Sequence, residues 1–381
     1  MKNVERIIIL YPGETSSERI NTPGNYSLSR LLVHLNRSDD VPIYFLNWSR
    51  RYERYGHVRF IHFSTFNFLK LLLRFALRRN SLIVSQTGAY GVHARLLRVL
   101  MPGSRVLVRL GGVYYGKEYL ESAAFRSAKR GLRRRLSFAD MVMSTADGTP
   151  VDLYMRQLAI PPHRYKKLMN GFPVIANEAG MARENRILCI SRLSPEKNVD
   201  YVIRSFANAL PRLKTPHRLV IVGDGPDRDS LRSLAEELGV ATDVDFAGES
   251  YDVGRFLYAS KVLLSGFANN TVIEAIATAT PVITVELGEM QLLYGAFPNV
   301  RVVEYPPGGY GKISAARVSA LVQRTADLLV DLLNNYPTEH GAVRPAAMYG
   351  WEQRLRDEIT LYETMLAPAP AARRNHESAT A

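Results

Sequence analysis

Short, unbroken apolar runs alternate along this chain with longer stretches whose apolar positions return every three or four residues. IIIL (7–10), VPIYFLN (41–47), SLIVSQ (81–86), RVLVRL (105–110) and MVMST (141–145) are continuous and rich in branched residues. Such runs predict strands buried on both faces. Between them, LSRLLVHL (28–35) and VHARLLRVL (92–100) have helical spacing. The alternation resumes after Ala182 with RILCI (186–190), RLVIVG (218–223), DVDFAG (243–248), KVLLS (261–265) and PVITV (281–285) as strands. Helical stretches lie between most of these, among them 199–210 and 227–239. Alternation repeated this often predicts an α/β fold of parallel sheets with right-handed crossovers.

A chain of 381 residues exceeds one ordinary core and predicts two domains of roughly 150–200 residues each. The aperiodic, turn-rich stretch NGFPVIANEAGMAREN (170–185) reads as the linker between two doubly wound domains, 1–175 and 176–345. A Gly-rich loop after Pro307 leads to a helix near 315–333, and an amphipathic helix at 349–366 closes the fold. The tail, 367–381, is poor in bulky apolar residues and is expected to be disordered.

Composition narrows the classes. Cys189 is the only cysteine, so intrachain disulfides and Cys-based zinc clusters are excluded. The opening MKNVERIIIL reads as a first strand rather than a signal peptide. No apolar stretch approaches the ~20 residues that span a bilayer. A cytoplasmic protein is expected, with a peripheral position on the inner face of the membrane as a further possibility. The net charge of +13 is unevenly placed: residues 1–175 hold 28 Lys and Arg against 11 Asp and Glu, and the remainder 21 against 25. The first half therefore calls for an anionic partner: nucleic acid, a membrane surface or a phosphorylated acceptor. None of the usual nucleic-acid motifs is present, and no nucleic-acid partner is expected.

In open parallel sheets, ligands sit beyond the carboxyl ends of the strands. After RILCI, the loop SRLSPEK offers Arg192 and Lys197. After RLVIVG comes Asp224-Gly225-Pro226, a turn that lets backbone approach a ligand; Arg228 breaks the third glycine of a dinucleotide fingerprint. After DVDFAG, the polar loop Glu249, Ser250, Tyr251 is placed to meet a base. After KVLLS, GFANNTVIEAIA opens a helix whose N-terminal N–H groups suit a phosphate, with Glu274 one turn inside. Two cations, a helix N-terminus and a carboxylate suit a nucleoside diphosphate, the carboxylate accepting from ribose hydroxyls. Arg192 and Lys197 are thus read as phosphate ligands.

ISRLSPEKNVDYVIRSFANAL, LVIVGDGPDRDSLRSLAEELG, VDFAGES and TVIEAIATATPVIT together resemble successive motifs of retaining glycosyltransferases of family 4, the group 1 enzymes with the GT-B fold. ADMVMST (139–145), YKKLMNGFPV (165–174) and the closing helix extend the likeness over 139–366, while the first 138 residues match in layout alone. The resemblance implies two Rossmann-like domains with a cleft between them, an acceptor-binding first domain and a nucleotide-sugar-binding second one. It also implies that 346–366 packs back on the first domain. Arg192 and Lys197 would then hold the diphosphate, Glu274 the ribose, Gly225 would approach the nucleotide, and Glu249–Tyr251 would meet the base. The expected donor is a UDP- or GDP-sugar and the acceptor a sugar, a lipid-linked molecule or a small molecule. Neither cofactor nor metal is expected, since cations and a helix terminus stabilise the leaving diphosphate.

Two positions depart from the family. Gly266 stands where its members carry a Glu eight residues before the one matched by Glu274. The loop GGVYYG, with Gly111 and Gly112, lacks a histidine that many members place near the sugar. Asn269, Asn270 and Thr271 are the remaining candidates to touch the donor, and Gln86, Thr87 and Gly88 could face acceptor or sugar. His93, on a helix, reads as structural. The departures keep a second reading in view, a non-catalytic or altered scaffold that binds membrane or a partner. The basic amphipathic stretches 67–80 and 125–137 fit either anionic lipid or ordinary helices with solvated arginines.

Overall fold

A computed structural model of the chain describes residues 4–12, 26–38, 41–50, 53–88, 90–111, 113, 120–173, 175, 177, 180–250, 252–267, 270–286, 288–304, 315–336 and 349–367. The chain divides into two compact units. The first comprises Met1–Arg109, Phe138–Met141 and Arg356–Ala381, the second Leu110–Ser137 and Val142–Leu355. Parallel-rich α/β sheets are present, as the sequence pattern predicts.

In the first unit, β1 (Arg6–Leu10), β2 (Ile43–Asn47), β3 (Arg54–Tyr55), β4 (Val58–His62), β5 (Ser81–Gln86) and β6 (Arg105–Arg109) run in the order β3-β4-β2-β1-β5-β6. All pairings are parallel except the β3–β4 hairpin. Ile7 of β1 lies between Ile43 and Leu82, and each of these side chains is fully buried. Helices Tyr26–Ser38, Thr65–Phe75 and Gly91–Leu100 belong to this unit. Thr65–Phe75 starts where the Ser64 hydroxyl accepts from the Asn67 N–H, a serine N-cap. From the final helix, Trp351–Leu366, Glu358 pairs with Arg109 (Nε–Oε1 2.9 Å), and the Tyr362 hydroxyl donates to Glu358 Oε1 at 2.5 Å. Burial works against the Arg109 charge, but Glu358 and Tyr362 outweigh it and hold the guanidinium pKa above its ordinary value.

In the second unit, β7 (Met141–Ala146) and β8 (Tyr165–Met169) pair in parallel. A six-stranded parallel sheet follows, built of β9 (Glu184–Ile190), β10 (Arg218–Val222), β11 (Val244–Gly248), β12 (Ser260–Ser265), β13 (Val282–Val285) and β14 (Val300–Val303). Its order is β11-β10-β9-β12-β13-β14. Helices Val199–Ala209, Arg228–Glu237, Val253–Ala259, Asn270–Ala277 and Ala315–Asn334 connect these strands or follow them. Ile187, Leu188, Val202, Phe206, Leu263 and Ile276 are fully enclosed in one core. Arg183, in the stretch read as linker, donates to the carbonyls of Leu257, Ser260, Thr278 and Ala279 at 2.6–3.1 Å. A cation there satisfies the orphan carbonyls at two helix C-termini.

The strands expected from apolar runs are found within a residue or two of their predicted ends. β3 and β4 escape that reading because they are short and broken at Gly56-His57. β8 carries Lys166 and Lys167 and is far less apolar than the runs that signal buried strands. Part of 170–185, the Gly-rich loop after Pro307 and the tail lie outside the described residues.

Candidate functional site

Register brings the loops after β9 and β10 out side by side, because Ile190 lies opposite Val222. Backbone bonds then lace them together. Ser191 N donates to Val222 O at 3.0 Å, Leu193 N to Asp224 O at 2.9 Å, and Asp227 N to Leu193 O at 3.1 Å. The close approach explains two glycines. A Cβ at Gly223 would meet Ser191 O at 1.9 Å, and one at Gly225 would meet Leu193 O at 2.2 Å. Gly223 N in turn donates to Gly248 O at 2.8 Å, tying in the end of β11. Glu249 beyond it is exposed. Ser250 accepts from Asp252 N at 3.2 Å, and Asp252 caps helix Val253–Ala259.

The two predicted cations differ in setting. Arg192 is exposed, donates to Ser194 Oγ at 3.1 Å and pairs with Glu196. Burial opposes the Glu196 charge, but backbone and side-chain hydrogen bonds, including those from Arg192 and Ser194, hold its pKa down at about 2. Lys197 is half-buried with its ammonium 4.1 Å from the Phe267 ring centroid, a cation–π position. Burial lowers the Lys197 pKa, Arg192 adds to the lowering, and Glu196 and Asp147 oppose it.

Asn198 follows in the left-handed region at φ 52°, and its Nδ2 donates to Gly266 O at 3.1 Å. This bond joins the β9 loop to the β12 loop. A Cβ at Gly266 would meet Asn198 O at 2.6 Å and Lys197 O at 2.9 Å. Any side chain at this position would press on the backbone that carries Lys197.

Beyond Gly266, helix Asn270–Ala277 begins with Asn270, whose Oδ1 accepts from Asn170 Nδ2 at 2.6 Å. Thr271 is buried, and Glu274 lies half-buried one turn further. Gly111 is exposed with open space around it, its carbonyl accepting from Ser144 Oγ at 2.9 Å. Tyr251, Asn269 and Gly112 lie outside the described residues.

Sequence reading passed over several charged groups here. Asp147, just after β7, accepts from Thr149 N at 3.1 Å and Thr149 Oγ1 at 2.6 Å. Burial pushes its carboxyl pKa up, while the Thr149 bonds and the Lys197 charge pull it down. Lys167 donates to Asp152 Oδ2 at 2.8 Å and Glu289 Oε2 at 2.9 Å. Glu286 accepts from Met290 N at 3.0 Å and Gln291 N at 2.8 Å at the start of helix Met290–Tyr294. A carboxylate just past an apolar strand run was the available signal for Asp147 and Glu286. Lys167 and Glu289 meet across 122 residues, and nothing in their spacing announces the pair.

Residues 170–292 match the model of the glycosyl transferases group 1. Over 156 residues the chain is 30% identical to the N-acetylgalactosamine-N,N'-diacetylbacillosaminyl-diphospho-undecaprenol 4-alpha-N-acetylgalactosaminyltransferase of Campylobacter jejuni, covering 38% of this chain and 41% of that one. Over 106 residues it is 33% identical to the alpha-monoglucosyldiacylglycerol synthase of Streptococcus pneumoniae, covering 26% and 24%. The chain thus spans less than half the length of these relatives. Among solved structures it is similar to Anabaena Alr3699/HepE in complex with UDP, with a TM-score of 0.63 at 14% identity over 94% of this chain and 100% of that one. At that identity the likeness carries the fold alone. Residues 170–292 are thus similar to the group 1 glycosyl transferases, and the fold is GT-B.

Proposed function

We propose that the protein is a retaining, metal-independent glycosyltransferase that moves a hexose-type sugar from a UDP- or GDP-sugar to an acceptor hydroxyl. The carrying observation is the loop pair in which Lys197, on the β9 loop, stacks on Phe267 of the β12 loop just before helix Asn270–Ala277. A diphosphate leaving group set against Lys197, Arg192 and the free N–H groups of that helix gains charge stabilisation as the glycosidic bond breaks. With two cations and a helix N-terminus set against the diphosphate, the reading calls for no divalent ion. Glu274 is assigned to the ribose and Glu249–Tyr251 to the base. Gly225 gives backbone access to the nucleotide, and Gly111 and Gly112 border the sugar. Asn270 and Thr271, with Asn269, contact the sugar or its phosphate. In this reading 1–175 binds the acceptor and 176–345 the donor.

The acceptor is a sugar, a lipid-linked molecule or a small molecule, and the relatives support the lipid-linked one, one being named for a diphospho-undecaprenol substrate and another for a diacylglycerol product. Biosynthesis of a glycan, glycolipid or natural product is the matching role, and the enzyme would work in the cytoplasm. No described helix is long and apolar enough to cross a membrane.

The test is a thermal-shift screen against UDP, GDP, ADP and dTDP, followed by hydrolysis of the matching nucleotide sugars in EDTA. One nucleoside diphosphate should stabilise the protein and its sugar should be released without added metal. Lys197→Ala or Arg192→Ala should cut turnover by ~10²-fold or more. Binding without release of any sugar would favour the scaffold reading, and activity restored only by Mg²⁺ or Mn²⁺ would overturn metal independence.

A further inference from the structure

Nine large hydrophobic side chains are exposed among the described residues, and eight of them are Trp48, Phe66, Leu69, Leu73, Leu77, Val92, Leu96 and Val99, all in the first unit. Scattered exposed apolar residues need no explanation, but a contiguous group marks an interaction site. These residues are contiguous. Phe66, Leu69, Leu73 and Leu77 follow helical spacing along and just past helix Thr65–Phe75, whose opposite face buries Phe68, Leu71, Leu72 and Phe75. Val92, Leu96 and Val99 do the same on helix Gly91–Leu100, whose buried residues are Ala94 and Leu97. The two helices lie side by side in the same direction. At their beginnings the Phe68 ring meets His93 at 4.8 Å between centroids, and at their ends Leu77 N donates to Leu100 O at 2.9 Å. Trp48 extends the patch at the first end, its indole N–H bonded to the Tyr90 hydroxyl at 2.5 Å.

Helical angles place the cations. On Thr65–Phe75, Lys70 and Arg74 are rotated from the exposed apolar stripe by roughly a quarter turn, on the side away from the neighbouring helix. On Gly91–Leu100, Arg95 falls on the outer side in the same way, while Arg98 turns further round and pairs with Asp140 at 2.8 Å. All four are exposed, and so are Arg78 and Arg79 beyond the first helix. An apolar centre is therefore flanked by basic side chains on both sides. The local sequence is of one sign: residues 54–117 contain eleven Lys and Arg and no Asp or Glu, and the counter-charge on Arg98 comes from Asp140.

We propose that this two-helix face is a membrane-docking surface, with the apolar centre entering the acyl boundary of an anionic bilayer and the flanking cations meeting its headgroups. Charge decides between occupants. A second copy offering the same face would set Lys70, Arg74 and Arg95 against like charges, whereas an anionic bilayer supplies both an apolar interior and the opposite charge. The other basic segment differs in kind. On helix Ala123–Leu136 the buried residues are Phe125 and Leu136, and the exposed ones are mostly basic or small, with no apolar stripe among them. Neither the donor site nor the transfer reaction enters this assignment.

The experiment is flotation of the full chain with vesicles of phosphatidylcholine alone and with about a third phosphatidylglycerol, read together with tryptophan quenching by brominated acyl chains. Of the two tryptophans, Trp351 is buried and Trp48 borders the patch. The protein should float with the anionic vesicles, less so at high salt, and Trp48 emission should be quenched. Lys70→Gln, Arg74→Gln and Arg78→Gln combined should lower the partition coefficient by about a hundred-fold, at about a five-fold loss for each cation. Phe66→Ser, Leu73→Ser and Val92→Ser combined should abolish quenching, and unchanged nucleotide affinity in both variants would show that they are folded. Failure of the unaltered protein to float, or equal partition of all three forms, would overturn the assignment. So would a dimer in sedimentation equilibrium that the apolar variant dissolves while vesicles leave the protein unbound.

Discussion

Gly266, Gly225 and Asn198 show how little freedom the loops around Lys197 have. Replacing Gly266 by Glu would press the new Cβ on two carbonyl oxygens at 2.6 and 2.9 Å. Overpacking of this kind costs about 1–3 kcal/mol, so Gly266→Glu should lower the melting temperature by several degrees and weaken nucleotide binding. Gain of activity without loss of stability would show that the space is available after all. At Arg192 the expected outcome is electrostatic. Removing the guanidinium in Arg192→Ala takes away one of the bonds that hold the Glu196 pKa at about 2, and its titration, followed by NMR, should move up toward the usual carboxylate range. Lys197, whose pKa burial lowers, should make nucleotide affinity fall with rising pH earlier than an ordinary lysine would. The places of Arg192 and Lys197 beyond a strand were legible in the sequence because they follow an apolar run. Their different settings were not, since Phe267 and Asp147 reach Lys197 only through the fold.

At the scale of elements, the strands were legible wherever an unbroken branched run announced burial on both faces, as in β1 and β9. β8 was not legible by that rule, because Lys167 points its charge at Asp152 and Glu289 instead of at solvent. That cluster gives a pH prediction. Burial opposes both charges, but hydrogen bonds with Lys167 and Tyr165 hold the Asp152 pKa below its ordinary value, and those to Asp152 and Glu289 hold Lys167 above its own. The stabilisation from Asp152 is present above its unfolded pKa of about 3.9 and lost as pH falls through the depressed folded value. That from Lys167 is present below about 10.4 and lost as pH rises through the elevated one. Lys167→Met should therefore destabilise by about 1–3 kcal/mol across the neutral range, with the difference from the parent shrinking at both extremes. A difference that does not vary with pH would point to packing alone. In the first unit, Arg109→Met should cost about 3–5 kcal/mol by stranding Glu358, and adding Glu358→Leu should recover much of it. Chemical denaturation of the single and double variants reads this directly.

For the molecule as a whole, the alternation of apolar runs was enough to read two parallel-rich α/β folds, and the charge split placed the excess of basic residues in the first half. What the alternation could not convey was which basic helix carries an exposed apolar face, because the sequence of Thr65–Phe75 is apolar on both sides and only burial separates them. The central claim is that the loops after β9 to β12 bind a nucleoside diphosphate through Lys197. Calorimetric titration of the diphosphate selected by the thermal-shift screen, in EDTA, against the unaltered protein and Lys197→Ala, tests it most directly. One-site binding that weakens at least ten-fold in the variant is the predicted result. Equal affinity in the two proteins, or binding that requires a divalent ion, would contradict it.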